Sequence, residues 1–218
     1  MLKLEHQTLN DRAYGALKQE LISGRFSPGQ VLVIRKLAET FGTSTTPIRE
    51  ALQRLVAERL LEMKNNRSII VPLLSASTFE ELTRIRIAVE GLAGEMAASR
   101  MTEGALTEIS AALAGMRKAV ESGDARAYLT LNEHFHFIIY RQAGAPILLN
   151  LIRDLWGRAG PYLTLLMEAD SYIARSNDAH SKIVAALEQG NGPAVRVSID
   201  NDIRVAAAVL VGILPRMG

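Results

Sequence analysis

Five polar side chains in this 218-residue chain fall on stripes that helical spacing makes apolar. Arg86 shares a face with Leu82, Val89, Ala93 and Met96, and Asp202 with Val195, Ile199, Ala206 and Val209. Asn132 and His136, four apart, are flanked by Leu129 and Ile139, and His180 falls with Val184 and Leu187. Residues three or four apart lie on one helix face. A buried charge without a partner is costly, so such groups must find partners. If they find one another, Asn132, His136, His180 and Asp202 form a nitrogen and oxygen ligand set for a divalent metal of the zinc, nickel or manganese kind, with open positions. Arg86 would then hold an anion beside it. The alternative is three separate arrangements: a helix-end histidine, an exposed asparagine and an Arg86–Asp202 ion pair. His134 points elsewhere on its helix, and Trp156 and Tyr162 read as core or cavity wall. Two imidazoles, a carboxylate and open positions could also activate water. That would make the chain a small helical metal-dependent hydrolytic enzyme with an N-terminal tether, but no further acid or base is placed beside the set. The sequence therefore favours a chain that is not an enzyme.

A second constellation lies near the N-terminus. Two short helical patterns meet at Gly42-Thr43-Ser44, and the second opens with Thr45-Thr46-Pro47. A helix entering a major groove reads bases with its N-terminal side chains, which here are Thr45, Thr46 and Arg49. An arginine fork matches the two acceptors of guanine. Arg35 opens the preceding helix, within reach of phosphate or base. Arg67 stands at the tip of a predicted hairpin, where a wing could enter the minor groove.

These side chains need a frame. A helix is expected over Asp11–Ser23, stopped by Gly24, then a turn at Ser27–Gln30 and an extended piece at Val31–Val33. A helix over Arg35–Phe41 and one opened by Thr46-Pro47 follow, with hydroxyl caps from Ser44–Thr46. Leu60–Met63 and Ile69–Val71 read as strands around a polar loop. After a linker at Leu73–Ser75, overlapping capping boxes at Ser77-x-x-Glu80 and Thr78-x-x-Glu81 announce a helix. Breaks near 100–102, 122–124, 144–146, 157–161, 170–171 and 190–193 divide residues 76–214 into six or seven helices. The expected fold is mainly α: a winged helix-turn-helix domain over 1–74, then an all-α antiparallel helical bundle over 75–218.

Composition agrees and excludes. Residues 1–74 carry eleven basic and seven acidic side chains, and the remainder fourteen and sixteen. A basic module before a slightly acidic one suits nucleic acid at the N-terminal end. Cysteine is absent, which excludes disulfides and a thiolate nucleophile. The longest uncharged apolar run, Val205–Leu214, is ten residues, about half of what a bilayer requires. With no apolar stretch at the start, no membrane partner and a cytoplasmic location are expected.

Ser23-Gly-Arg-Phe-Ser-Pro-Gly29, Arg35-Lys-Leu-Ala38, Pro47-Ile-Arg-Glu-Ala-Leu52, Arg54-Leu55 and Leu60-Leu-Glu62 together resemble the winged-helix domain of GntR-type bacterial transcription regulators over residues 9–72. The resemblance implies operator contacts by Arg35, Arg49 and the wing tip. Thr45 stands where the family usually has Arg, and Ser68 where it usually has Gly. Arg86-x-x-x-Glu90, Asn132-Glu-His-Phe-His136 and Ala179-His180 resemble the effector-binding FCD domain of the FadR subgroup. That resemblance implies a divalent metal and a carboxylate effector. His136 and His180 match the family's ligands, while Asn132 replaces the usual Asp and Asp202 the usual third His. The expected function is a metabolite-responsive transcription regulator acting as a homodimer on double-stranded operator DNA. A small organic acid effector would shift the dimer's arrangement.

Overall fold

The computed structural model describes residues 8–65, 67–168 and 172–215. The expected break at 170–171 lies outside these residues, as do Asn66 and the first and last residues of the chain.

Helix α1 (Leu9–Ile22) begins earlier than its apolar spacing suggested, because Thr8 caps it. The Thr8 hydroxyl accepts from the Asp11 N–H, and the Asp11 carboxylate accepts from the Thr8 N–H, which satisfies two free donors at once. α1 ends into Gly24, whose φ of 69° is left-handed. Helices α2 (Ile34–Thr40) and α3 (Thr45–Ala57) follow, joined through Gly42 at φ 62°. Ser44 sits at the N-cap of α3 without a side-chain cap bond, so the expected hydroxyl cap does not form at that residue. The hairpin is short: β1 (Glu62–Met63) pairs antiparallel with β2 (Ile69–Ile70), and Val31 bridges to Ile70 as a third rung. Leu17, Leu21, Ile48, Leu52, Leu55 and Leu60 form the core of this module.

Helix α4 (Ala76–Ala98) is capped by Ser75, which accepts from the Thr78 N–H at 3.2 Å. The capping boxes at Ser77 and Thr78 are therefore inside the helix, whose N-cap is Ser75, two residues before Ser77. Helices α5 (Glu103–Glu121), α6 (Ala125–Gln142), α7 (Pro146–Leu163), a 3-10 turn at Thr164–Glu168, α8 (Tyr172–Glu188) and α9 (Gly192–Ile213) complete the bundle. α4 lies along α9, α5 on α6 and α8 on α9, around Phe79, Phe135, Trp156, Ile183, Ile199 and Leu210.

The break expected at 157–161 does not occur: α7 runs through it with Pro161 inside. Pro161 lies in the last turn, so only its own bond to the Gly157 carbonyl is lost. The glycines there serve a close approach instead. A Cβ on Gly160 would collide with the carbonyl oxygens of Leu21 and Ile22, and one on Gly24 would come within 2.8 Å of the Gly160 oxygen. α1 and α7 thus meet backbone to backbone, and Ile22 packs into the core of the helical bundle.

Candidate metal centre and nucleic-acid interface

Three of the four metal candidates converge. His136 on α6, His180 on α8 and Asp202 on α9 are all buried. His136 Nε2 lies 3.3 Å from His180 Nε2 and 3.3 Å from Asp202 Oδ2, and His180 Nε2 lies 3.5 Å from Asp202 Oδ1. Neighbouring ligands on a tetrahedral ion with bonds of about 2.0–2.1 Å stand roughly 3.4 Å apart, so the donor atoms have the spacing of one face of such a site. Two further observations fit a cation. Asp202 Oδ1 is buried without a hydrogen-bond partner among the described residues. Burial, helped by the neighbouring His136 and opposed by Asp202, lowers the His180 imidazole to about 4, so it is neutral and able to ligate near pH 7. Asp202 is held below its ordinary range: burial would raise it, but the neighbouring His180, His136 and Arg86 together outweigh burial. Asn132 is buried one turn before His136 on the same helix. His134 leaves the site, pairing with Glu108 at 3.0 Å near the surface.

Arg86 does not pair with Asp202. Its Nε donates to Glu90 Oε1 at 2.6 Å and its Nη2 to Glu90 Oε2 at 3.3 Å. Burial would ease the proton off this guanidinium, and the Glu90 carboxylate more than offsets that. Glu90, fully buried, also accepts from Tyr140 OH at 2.6 Å and from Trp156 Nε1 at 2.8 Å. The Arg86 guanidinium lies 5.0 Å from the Trp156 ring. Sequence reasoning gave Glu90 and Tyr140 no role. Their spacing held the signal: Glu90 is four residues past Arg86, and Tyr140 four past His136.

At the other end, α3 buries Pro47, Ile48, Ala51, Leu52 and Leu55. Thr46 and Arg49 are left exposed at its start, with Thr45 half-buried beside them. Gln53, one turn on from Arg49 and also exposed, extends this face and was not singled out from the sequence. Arg35 is exposed on α2 and Arg67 on the hairpin. None of the three arginines has an ion-pair partner among the described residues. Arg67 adopts φ 63° and closes a turn by donating its N–H to the Lys64 carbonyl at 2.8 Å. Among the described residues of the wing, the left-handed one is thus Arg67, next to Ser68.

Helix α7 joins the two ends. Trp156 faces Glu90, while Asp154 pairs with Lys18 of α1 at 2.6 Å. Arg158 donates to the Glu58 carbonyl beyond α3 at 3.0 Å. Tyr162 OH accepts from the Leu74 N–H at 2.6 Å and donates to the Pro72 carbonyl at 2.8 Å.

Comparison with known proteins gives this arrangement a context. Residues 9–71 match the model of bacterial regulatory proteins of the gntR family, and residues 81–204 that of the FCD domain. The chain is 35% identical to the HTH-type transcriptional regulator McbR of Escherichia coli K12 over 77% of its length and 76% of that protein's. It is 24% identical to the HTH-type transcriptional repressor RspR of the same organism, over 87% and 83%. A solved structure of Escherichia coli McbR/YncC superposes with a TM-score of 0.86 at 31% identity, covering 93% of this chain and 97% of that one. These relatives are transcription regulators, not enzymes, and the hydrolytic reading finds no support among them. With a winged helix-turn-helix presenting Arg49 and a helical bundle gathering His136, His180 and Asp202, the chain belongs to the GntR family of bacterial transcription regulators, in the architecture that joins the gntR domain to an FCD domain.

Proposed function

We propose that this GntR-family regulator responds to a small organic acid bound beside a divalent metal in its helical bundle, and that it acts as a cytoplasmic homodimer on a two-fold operator. The convergence of His136 Nε2, His180 Nε2 and Asp202 on one point, with Asp202 Oδ1 lacking a partner among the described residues, carries the reading. His136, His180 and Asp202 would hold the ion, of the zinc, nickel or manganese kind, and Asn132 would add a weaker amide oxygen. When bound, the metal supplies a positive centre on which the effector's carboxylate can sit. Arg86 is the resident cation beside the site, with Glu90 as its counter-ion. The effector's carboxylate would therefore reach Arg86 in competition with Glu90.

In this reading the chain divides at residues 74 and 75. Residues 1–74 bind DNA: Thr45, Thr46 and Arg49 read base edges, Arg35 reaches the backbone or a base, and Arg67 on the wing meets the minor groove. Effector binding favours one arrangement of the two DNA modules and so changes operator affinity.

Metal analysis of the purified chain, with melting curves before and after chelation, tests the centre. A stoichiometric divalent ion and a lower melting temperature on its removal are expected. No bound metal, and no change in melting when zinc, nickel or manganese is supplied, would leave the trio an ion-pair network and remove the basis of the effector mechanism.

A further inference from the structure

The orientation of His136 is set from outside the cluster, and the chain of donors that sets it can be followed proton by proton. Glu90 Oε2 receives Arg86 Nη2 and Trp156 Nε1, and Glu90 Oε1 receives Arg86 Nε. Arginine and indole nitrogens only donate, so both carboxylate oxygens act as acceptors. The 2.6 Å contact between Tyr140 OH and Glu90 Oε2 must then be donated by the phenol. A phenol has one proton. Once it points at Glu90, the same oxygen can only accept from His136 Nδ1, which lies 3.3 Å away. Nδ1 therefore carries the ring proton, and Nε2 keeps its lone pair. That lone pair faces His180 Nε2 and Asp202 Oδ2. A bare nitrogen beside a carboxylate oxygen at 3.3 Å is a pair of electron donors that a cation between them would satisfy. The opposite tautomer would donate Nε2–H to Asp202 and close the site to an ion.

We propose that Tyr140 and Glu90 are positioning residues of the metal centre: they hold His136 with its proton on Nδ1, so that Nε2 is presented to the ion. Glu90 anchors the relay and Tyr140 passes its polarity across one helical turn to His136. Groups of this kind fix the tautomer of a ligating histidine and strengthen it as a ligand. The relay is buried throughout: Glu90, Tyr140 and His136 are each at most 2% exposed, so water does not offer Nδ1 an alternative partner.

The inference rests on the metal reading above, and its test separates the two. Nitrogen-15 spectra of the metal-free full chain, at a pH where imidazole is neutral, report which ring nitrogen of His136 bears the proton. Wild type should carry it on Nδ1, and Tyr140→Phe should move it to Nε2, where Asp202 accepts it. Zinc titration should show Tyr140→Phe binding roughly 10–100-fold more weakly, with helical content and metal-free melting close to wild type. Phe keeps the ring, and Glu90 keeps its bonds from Arg86 and Trp156, so folding is preserved. Tyr140→Phe that binds zinc as tightly as wild type, or wild type with the proton on Nε2, overturns the inference. A wild type that binds no zinc but carries the proton on Nδ1 overturns the metal reading and supports the tautomer assignment.

Discussion

Replacing Gly160 by alanine sets a methyl group against the carbonyl oxygens of Leu21 and Ile22, which are backbone atoms of another helix. Replacing Gly157, one turn earlier on α7, sets the same methyl 3.1 Å from Leu60 Cδ2, the far end of a flexible side chain. Both substitutions gain about 1 kcal/mol of helix propensity. Overpacking costs about 1–3 kcal/mol. The cost belongs at the upper end for Gly160, where α1 as a whole must move, and near zero for Gly157, where Leu60 can give. Gly160 also precedes Pro161, and a Cβ before proline disfavours helical backbone, which adds in the same direction. The expected outcome is that Gly160→Ala is less stable than Gly157→Ala by about 2–3 kcal/mol, or roughly 5–10 °C in melting temperature. Urea unfolding and thermal melts of the pair read this directly. Gly157→Ala should be close to wild type or slightly more stable. Equal stability of the two variants, or a more stable Gly160→Ala, would refute the backbone-to-backbone contact as the reason for glycine at 160.

Three further outcomes follow from the sites. Arg49→Ala should lower operator affinity by about 1–3 kcal/mol and relax preference at one base pair, whereas Arg67→Ala, which removes a charge from the phosphate-walled minor groove, should weaken binding with a smaller salt slope; binding titrations at several salt concentrations on intact and mutated operators separate the two. Glu90→Ala should cost about 3–5 kcal/mol, since Arg86 is then buried without its counter-charge, and Arg86→Met in the same chain should recover much of the loss; a double variant no more stable than the single one would count against the pair. In the metal-free chain, burial keeps His180 neutral down to about pH 4, while the unfolded chain takes up that proton near 6.5. The unfolded state therefore binds more protons between these values, so stability should fall as the pH drops from about 6.5 to about 4. His180→Leu should flatten that window in urea titrations, and an unchanged pH slope would contradict the assignment.

The helical periodicity of α4 through α9 was strong enough to show the bundle, because apolar residues recur at three- and four-residue steps wherever a helix packs on others. A residue type misleads where its commonest local meaning is not the one the fold uses. Gly157, Gly160 and Pro161 look like a break, but Gly160 is required by a backbone contact with Leu21 and Ile22 on a distant helix, which no local pattern encodes. Ser77 and Thr78 have capping-box partners, yet Ser75 takes the cap, since the chain leaves the hairpin through Pro72 and turns at 75. At the site, the meeting of His136, His180 and Asp202 could be argued from buried polarity alone. The partner of Arg86 could not be fixed that way. Asp202 and Glu90 are both acidic and both reachable, and only the packing of α4 against α6 and α7 decides for Glu90.

Tyr162 holds the connecting peptide from both sides, receiving the Leu74 N–H and donating to the Pro72 carbonyl. Such a strap removes the swivel that a free connector would allow. A reading head on a flexible tether can reach half-sites over a range of distances and must lose that freedom each time it lands. Here the head's angle is fixed when the chain folds. In a two-fold assembly, the separation and phase of the half-sites would then be dictated by the helical bundles. One extra base pair turns a half-site by roughly 35° about the duplex, more than a strapped head can follow. Such a regulator would be strict about operator spacing, and loosening the strap with Tyr162→Phe would widen the set of spacings it accepts.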